Sequence, residues 1–334
     1  MNEQNDASAA VIERLRALEV GDGVSHGAMT LFPLFAKREA VGGESIEYRL
    51  LAEAVADGHV VVSERPSATV PELLLTNSGP VPVLVLGGEE IVGGKQNRIV
   101  NASFLVGAAS TVALPVSCVE QGRWHPVSDR FTPGEISYFN LKRAAHAQVG
   151  ESLRARRHAS ADQIAIWNEL SERQARAGGY SDTGAMSDLF RNSGDGLAAY
   201  ERAFPWVPGA TGVVAALGDH VVAAEAFARE RTAEALWPRL VRSYALDALE
   251  EPDCAPVSRS RAIRFIARSH AARCEVYPSL GLGQDVRFDG DGVFGSALVY
   301  RDQPLYTALF RSDRGGPTRA NHLARGSVRR DLLQ

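Results

Sequence analysis

Cysteine is scarce. Cys118, Cys254 and Cys274 are the three cysteines in 334 residues. They stand far apart in no paired pattern, which excludes a disulfide framework and fits a reducing compartment. Long apolar runs are missing too: none approaches the roughly 18 residues a membrane helix needs. The opening, MNEQNDASAAVIERL, lacks the basic-then-apolar layout of a secretory signal. The expectation is a cytoplasmic protein that does not enter a membrane, in which the Asn101-Ala102-Ser103 sequon goes unread. Positive charge is not in excess, since 36 Lys and Arg face 40 Asp and Glu for a net charge of −4. That balance argues against bulk attraction to nucleic acid or to an anionic membrane surface. Histidines 26, 59, 125, 146, 158, 220, 270 and 322 show no zinc-type spacing, and there is no internal repeat.

What is present is the material of an ordinary globular chain, 45% hydrophobic and 23% charged, long enough for one large core or two moderate ones. Residues 1–26 read as a tail and lead-in helix, the first ten small, polar and expected to lack order. Residues 27–133 are strand text: TLFPLF, GHVVVSE, ELLLTN, VPVLVLG, RIVNASFLVG and STVALPVSCVE are β-branched runs divided by Gly, Pro, Asn and Ser. Strands this closely spaced predict antiparallel pairing in a sandwich or barrel-like system. One helix is expected over residues 45–57. Residues 134–274 read as mainly helical, with helices over 135–157, 162–177, 231–249 and 258–271. The second of these places Ile164, Trp167, Leu170 and Ser171 on one face. Tyr180-Ser181-Asp182-Thr183 looks like a cap before a short helix through Phe190. GVVAALGDHVVAAEAF reads as a hairpin turning at Gly218-Asp219. Residues 275–311 return to strands, and 312–334 form a basic tail with six arginines between Arg311 and Arg330 beside Asp313 and Asp331, expected to be a flexible, solvated end. The class is α+β, a sheet system covered by a helical middle section.

Several motifs fail on context. Gly290-Asp291-Gly292-Val293-Phe294-Gly295 spells the dinucleotide fingerprint, which requires a helix after it; here SALVYRD follows, a strand. Asp289 and Asp291 lack the spacing and closing glutamate of a calcium loop. Gly93-Gly94-Lys95-Gln96 has no Ser or Thr after its lysine, so it is not a phosphate-cradling P-loop.

The segment GGEEIVGGKQNR over residues 87–98 is unlike its surroundings. Its glycines permit sharp turns and close backbone approach. Its side chains, Glu89, Glu90, Lys95, Gln96, Asn97 and Arg98, gather acids, amides and cations suited to phosphates, hydroxyls or a base edge. Along PVSCVEQGRW, Leu114, Val116, Cys118 and Glu120 alternate onto one face, so Glu120 needs a partner among Arg98, Lys95 and Arg123. Arg123 and Trp124 can stack on a planar group. Cys118 reads first as core and second as a nucleophile, because no base is fixed beside it; His125 is the nearest histidine in sequence. A magnesium site of Glu89, Glu90 and Glu120 is the minor alternative, and Trp167 and Trp206 read as core or interface anchors.

These same blocks, Gly88-Glu89-Glu90 through Gly93-Gly94-Lys95-Gln96-Asn97-Arg98 and Pro115-Val116-Ser117-Cys118-Val119-Glu120 with Arg123-Trp124, resemble the ADP-ribosylglycohydrolase and rhodanese-phosphatase-associated protein domain. Asp162-Gln163 with Trp167, then Ser181, Thr183 and Ala185, look similar to that family's middle block, and Leu309-Phe310 to its end. The resemblance covers roughly residues 27–311, with Gly87 before Gly88 as a small departure. It implies the company of enzymes of ADP-ribose and NAD-derivative metabolism and brings no catalytic residues with it. The expectation is a site that binds or processes a phosphorylated nucleotide derivative such as ADP-ribose or an NAD-related compound. Lys95 and Arg98 would hold phosphates, and Gln96 and Asn97 would orient sugar or base. Glu120 or Glu89 would act as acid or base, with Glu90, Gly93, Gly94, Cys118, Arg123 and Trp124 lining the ligand. No cofactor is assigned. The alternative is a non-catalytic structural or interaction module with a buried polar network. If residues 87–98 and 115–124 meet, carboxylates and cations share one pocket.

Overall fold

The computed structural model describes residues 3–36, 46–65 and 71–312. The basic tail expected from residue 312 onward lies almost wholly outside the described residues. In chain order the elements are α1 (Glu3–Arg16), β1 (Leu18–Val20), β2 (Val24–His26), β3 (Met29–Ala36), β4 (Arg49–Leu50), α2 (Leu51–Ala56), β5 (Val60–Glu64), β6 (Glu72–Asn77) and β7 (Val83–Val85). There follow β8 (Glu89–Val92), β9 (Arg98–Val100), β10 (Phe104–Val106), β11 (Ser110–Cys118), β12 (Thr132–Ile136), α3 (Phe139–Arg156), α4 (Gln163–Ala177), α5 (Met186–Asn192) and α6 (Gly194–Ala203). The last are β13 (Gly212–Leu217), β14 (His220–Phe227), α7 (Glu230–Ala248), α8 (Arg259–Ala267), β15 (Arg273–Pro278), β16 (Gln284–Gly290), β17 (Val293–Tyr300) and β18 (Gln303–Arg311).

The class is α+β. A nine-stranded sheet runs in the order β1-β3-β13-β14-β18-β17-β16-β15, with β2 on β3; a six-stranded sheet runs β12-β8-β9-β11-β6-β5, and a three-stranded one β10-β7-β4. Every pairing is antiparallel except β4 with β7. The hairpin β13–β14 joins the N-terminal strands to the C-terminal meander. Both faces of that sheet are covered, which explains why GVVAAL is apolar throughout. Val213, Ala215 and Leu217 enter the core shared with α3 to α7, while Val214 and Ala216 enter the core shared with α1 and α8. The period of two sorts one strand into two cores.

Several sequence expectations need correcting. Residues 3–10, expected to lack order, are helical: α1 starts at Glu3, because Ala7, Val11 and Leu15 make a buried stripe at four-residue spacing. The helix expected over 45–57 is shorter: residue 45 lies outside the described residues, and Arg49–Leu50 pair as β4 before α2 begins. The helix expected from 135 begins only at Phe139, since Thr132–Ile136 pairs with β8; Pro133-Gly134 is a poor helix start. Helix α4 spans 163–177 as expected, capped by the Asp162 carboxylate on the Ile164 and Ala165 amides and ended by Gly178 at φ +64°. Its buried face, however, is Ala165, Ile166, Leu170 and Arg173, and Ile164 is exposed. Residues 275–311 hold one strand more than the runs CEVYPSL, GSALVYRD and PLYTALFR provide, β16 between the first two. The Gly290–Gly295 glycines lie at a strand–turn–strand junction, as the rejection of the fingerprint requires. No helix among the described residues is long and apolar enough to cross a membrane.

Candidate functional site

The two polar segments do meet, and they divide into a sealed half and a half that borders open space. The sealed half centres on Glu120, which is 4% exposed. Arg123 grips it with both arms of its fork, Nε to Oε1 at 2.8 Å and Nη2 to Oε2 at 2.5 Å. The Asn97 backbone N–H donates to Oε2 at 2.9 Å, the Thr183 hydroxyl to Oε1 at 2.7 Å, and the Gln96 side-chain amide to the Glu120 carbonyl at 2.7 Å. Burial on its own would raise the Glu120 pKa, but these bonds outweigh it and hold the group below the usual carboxylate range. Arg123 is therefore the partner Glu120 needs. Its remaining donors go to the carbonyls of Gly93, Gly94 and His125 and to Asn97 Oδ1.

Other expected members stand elsewhere. Lys95 pairs with Glu64 at 3.8 Å and is nearly half exposed. Arg98 is buried, held by Gln96 through its carbonyl and amide oxygens, and its Nε lacks a partner among the described residues. Trp124 is 58% exposed, while Arg123 is committed to Glu120, so the two form no joint stacking platform. Cys118 is fully buried, and burial pushes its thiol up against the pull of Arg98; the core reading fits it, and His125 is exposed. Glu89, Glu90 and Glu120 are held by three different partner sets rather than around one point. Glu89 accepts from the Leu86 amide at 2.9 Å and from Arg239 Nη1 at 2.7 Å.

The open half is a cleft of about 570 Å³ lined by Glu90, Val92, Gly134, Glu135, Ser187, Phe190, Arg191, Arg239 and Arg242. Four elements build it. Strand β12 meets β8 with a shift in register between Pro133 and Ile136, a bulge that sets Gly134 and Glu135 opposite Glu90. Bulges re-aim side chains in this way beside functional sites. Helix α5 presents Ser187, Phe190 and Arg191, spaced i, i+3 and i+4 on one face, and α7 presents Arg239 and Arg242 at i and i+3. Arg242 forks onto Glu135 (Nη2 to Oε1, 2.6 Å; Nε to Oε2, 3.2 Å) and bonds Glu201 at 3.0 Å.

Glu90 has no exposed surface of its own and lies just beneath the wall. A Cβ on Gly134 would come within 2.6 Å of its Oε2. Its acceptor bonds are long: the Glu135 amide reaches Oε2 at 3.3 Å and Asn97 Nδ2 reaches Oε1 at 3.5 Å. Burial, reinforced by the Glu135 carboxylate, pushes its pKa up to about 8. At neutral pH this is an acid carrying its proton. Gly134→Ala is expected to drive the carboxyl off its place and to cost roughly 1–3 kcal/mol in urea unfolding, with a loss no larger than that of an exposed Gly→Ala change counting against the close fit.

Sequence reasoning found Glu90 and Asn97 but missed Glu135, Ser187, Arg191, Arg239 and Arg242. Glu135 was assigned to a helix. The i, i+3 arginines in WPRLVR were the available signal on α7, readable only once that helix face was known to meet β8 and β12.

An α+β body of largely antiparallel sheets, with a bulged strand pair and two helices enclosing a polar cleft, is the class this geometry defines. The chain belongs to the ARG and Rhodanese-Phosphatase-superfamily-associated Protein domain family, whose model matches residues 17–310. No curated protein matches it, and no solved structure does. Among the described residues no group of three or more His, Cys, Asp or Glu is arranged to hold a metal ion.

Proposed function

We propose that the cleft between β8, β12, α5 and α7 binds a small anionic ligand, a phosphorylated nucleotide derivative such as ADP-ribose or an NAD-related compound, with Glu90 as its proton donor. The observation that carries this reading is the charge balance of the wall. Arg191, Arg239 and Arg242 face Glu135 and an acid that is neutral at pH 7. The other carboxylates that pair these arginines, Asp188, Glu89 and Glu201, do not line the cleft. Guanidinium forks match phosphate oxygens bidentately, and Arg239 Nε is buried without a partner among the described residues. The volume falls within the range of small-molecule sites, about 300–1,000 Å³. The phosphate-holding role expected of Lys95 and Arg98 passes to these three arginines, and the acid role expected of Glu120 or Glu89 passes to Glu90. An incoming anion competes with Glu135 for Arg242. A proton-donating acid next to developing negative charge is the arrangement that general acid catalysis uses.

The alternative, a non-catalytic structural or interaction module, draws on the Glu120 half of the signature, whose polar groups are paired within the protein. Thermal shift with ADP-ribose, NAD, pyrophosphate and inorganic phosphate separates the two. A ligand at 100-fold excess over its Kd stabilises by about 2.7 kcal/mol. The expected outcome is stabilisation by at least one nucleotide that Arg239→Ala abolishes. If no compound stabilises the wild type, the module reading stands. Where turnover is found, Glu90→Gln should suppress it, and unchanged turnover would dismiss Glu90 as the acid.

A further inference from the structure

We infer that the buried Glu120–Arg123 pair is a positioning device that fixes the side-chain amide of Asn97, and through it the direction in which Glu90 and Ser187 offer their protons. The inference rests on the cleft reading above and assigns a role to the half of the signature that does not line the cleft.

The amide has two distinguishable ends. Its oxygen receives Arg123 Nη2 at 3.0 Å and the Gly93 N–H at 3.2 Å. Both are donors, so the acceptor end of Asn97 must face them. Its nitrogen is thereby turned toward Glu90 Oε1 at 3.5 Å and Ser187 Oγ at 3.4 Å. A reversed amide would set its nitrogen against two donors and is excluded by hydrogen-bond chemistry. Arg123 can hold this orientation because Glu120 fixes the same fork at Nε and Nη2, and because Glu120 itself is locked by the Asn97 backbone N–H and Thr183. The ring Asn97–Glu120–Arg123–Asn97 closes on itself.

Two consequences follow for the cleft. Glu90 has a donor at each oxygen, the Glu135 N–H at Oε2 and the Asn97 amide at Oε1, so the proton of the neutral acid cannot be spent on either neighbour. Ser187 accepts from Asn97, which leaves its own hydroxyl proton for the cleft it lines. With the guanidinium groups of Arg191, Arg239 and Arg242, the cleft offers donors, which suits a ligand rich in acceptor oxygens. The charged groups around Glu90 are Glu135 from β12, Glu120 after β11, Arg191 from α5, and Arg239 and Arg242 from α7.

The test reads the amide and the acid directly, without a ligand. In Arg123→Lys both buried charges remain, but one ammonium replaces the fork. The Asn97 amide is then released, and Glu90 loses the donor that favours its ionised form. Carbon-13 NMR of glutamate-labelled protein, with Glu90→Gln to assign the signal, should show the Glu90 midpoint rising by about one pH unit. Thr183→Val, which loosens Glu120 but keeps the Arg123 fork on Asn97, should move it less. A midpoint unmoved in a folded Arg123→Lys protein that merely melts earlier would overturn the inference and leave a structural ion pair. Should that variant not fold, the wild type decides. Its Asn97 side-chain N–H pair should exchange slowly with solvent and lie close to the Ser187 methylene. Fast exchange, or an amide that rotates freely, contradicts the proposal. Because neither readout needs ligand, a failed binding panel with a shifted midpoint would count against the cleft's ligand and not against the positioning.

Discussion

Replacing Glu90 with glutamine is expected to stabilise the protein at alkaline pH relative to its effect below pH 5. The reason is proton linkage. The unfolded glutamate titrates near its ordinary value of 4.5, and the folded one at about 8. Between those values the folded state binds a proton that the unfolded state has released, so stability falls as pH rises through the window. Above about 8 both states are ionised and the loss is complete. At ~1.4 kcal/mol for each unit of displacement, the full effect is on the order of 5 kcal/mol. Glutamine keeps the shape and carries no proton to lose, and the cost of setting its amide nitrogen against the Glu135 N–H or the Asn97 amide is the same at both pH values. Urea unfolding of both proteins at pH 5 and pH 9 gives the answer as a double difference, in which all other titrating groups cancel. A double difference near zero would mean that Glu90 ionises in the folded protein as it does in the unfolded chain, and the cleft would lose its acid.

The second large effect lies at a buried charge pair elsewhere in the core, Lys142 with Glu225. Lys142 Nζ stands 2.6 Å from Glu225 Oε1, both side chains 1% exposed. Tyr244 donates to the same oxygen at 2.6 Å, and the Tyr306 hydroxyl donates to the other. Burial alone would raise the Glu225 pKa; Lys142 and the three hydrogen bonds more than reverse it. Lys142→Met keeps the volume and leaves a buried carboxylate without its counter-charge, which should cost about 3–5 kcal/mol. The double variant Lys142→Met/Glu225→Gln should recover most of that loss, because the penalty belongs to the orphaned charge and not to the missing bond. Unfolding free energies of the two variants decide the matter: a single variant no less stable than the double would show that the carboxylate is already neutral. Glu225 also has the opposite sign to Glu90. Its depressed pKa contributes stability above pH 4.5 that is lost as the pH falls further.

The contrast between these carboxylates explains what could be read from the chain and what could not. The strands read from residues 27–133 were legible because each is a short β-branched run bounded by Gly, Pro, Asn or Ser, a local property. The hairpin at Gly218-Asp219 was legible for the same reason. Its place in the middle of the nine-stranded sheet was not, since that depends on partners at Phe32 and Leu309, nearly two hundred and about ninety residues away. The buried face of α4 was misread because Arg173 belongs to it. A guanidinium enters a core only when an acid such as Asp247, 74 residues away, and the Tyr138 ring receive it, and neither leaves a trace in the local pattern.

The candidate site shows the same division. That Glu120 needed a cation, and that Arg123 could supply it, followed from one acid in an apolar run with an arginine three residues on. That Glu90 rather than Glu89 borders the cleft did not, because the two neighbours differ only in which face of β8 they occupy. The bulge at Gly134-Glu135 settles it: it pairs Ile136 with Glu89 and leaves Glu90 opposite the two unpaired residues. The arginines of α5 and α7 reach that point from positions 100 to 150 residues away, beyond any motif.

The proposed cleft would take an anion beside a protonated carboxyl group. Calorimetric titration of ADP-ribose into the wild type at pH 6.5 and at pH 9.5, repeated with Arg239→Ala, tests it most directly. Binding at pH 6.5 that is at least about tenfold weaker at pH 9.5, as Glu90 ionises, and absent in Arg239→Ala is the predicted result. Equal affinity at the two pH values, or an Arg239→Ala protein that binds as well as the wild type, would contradict it.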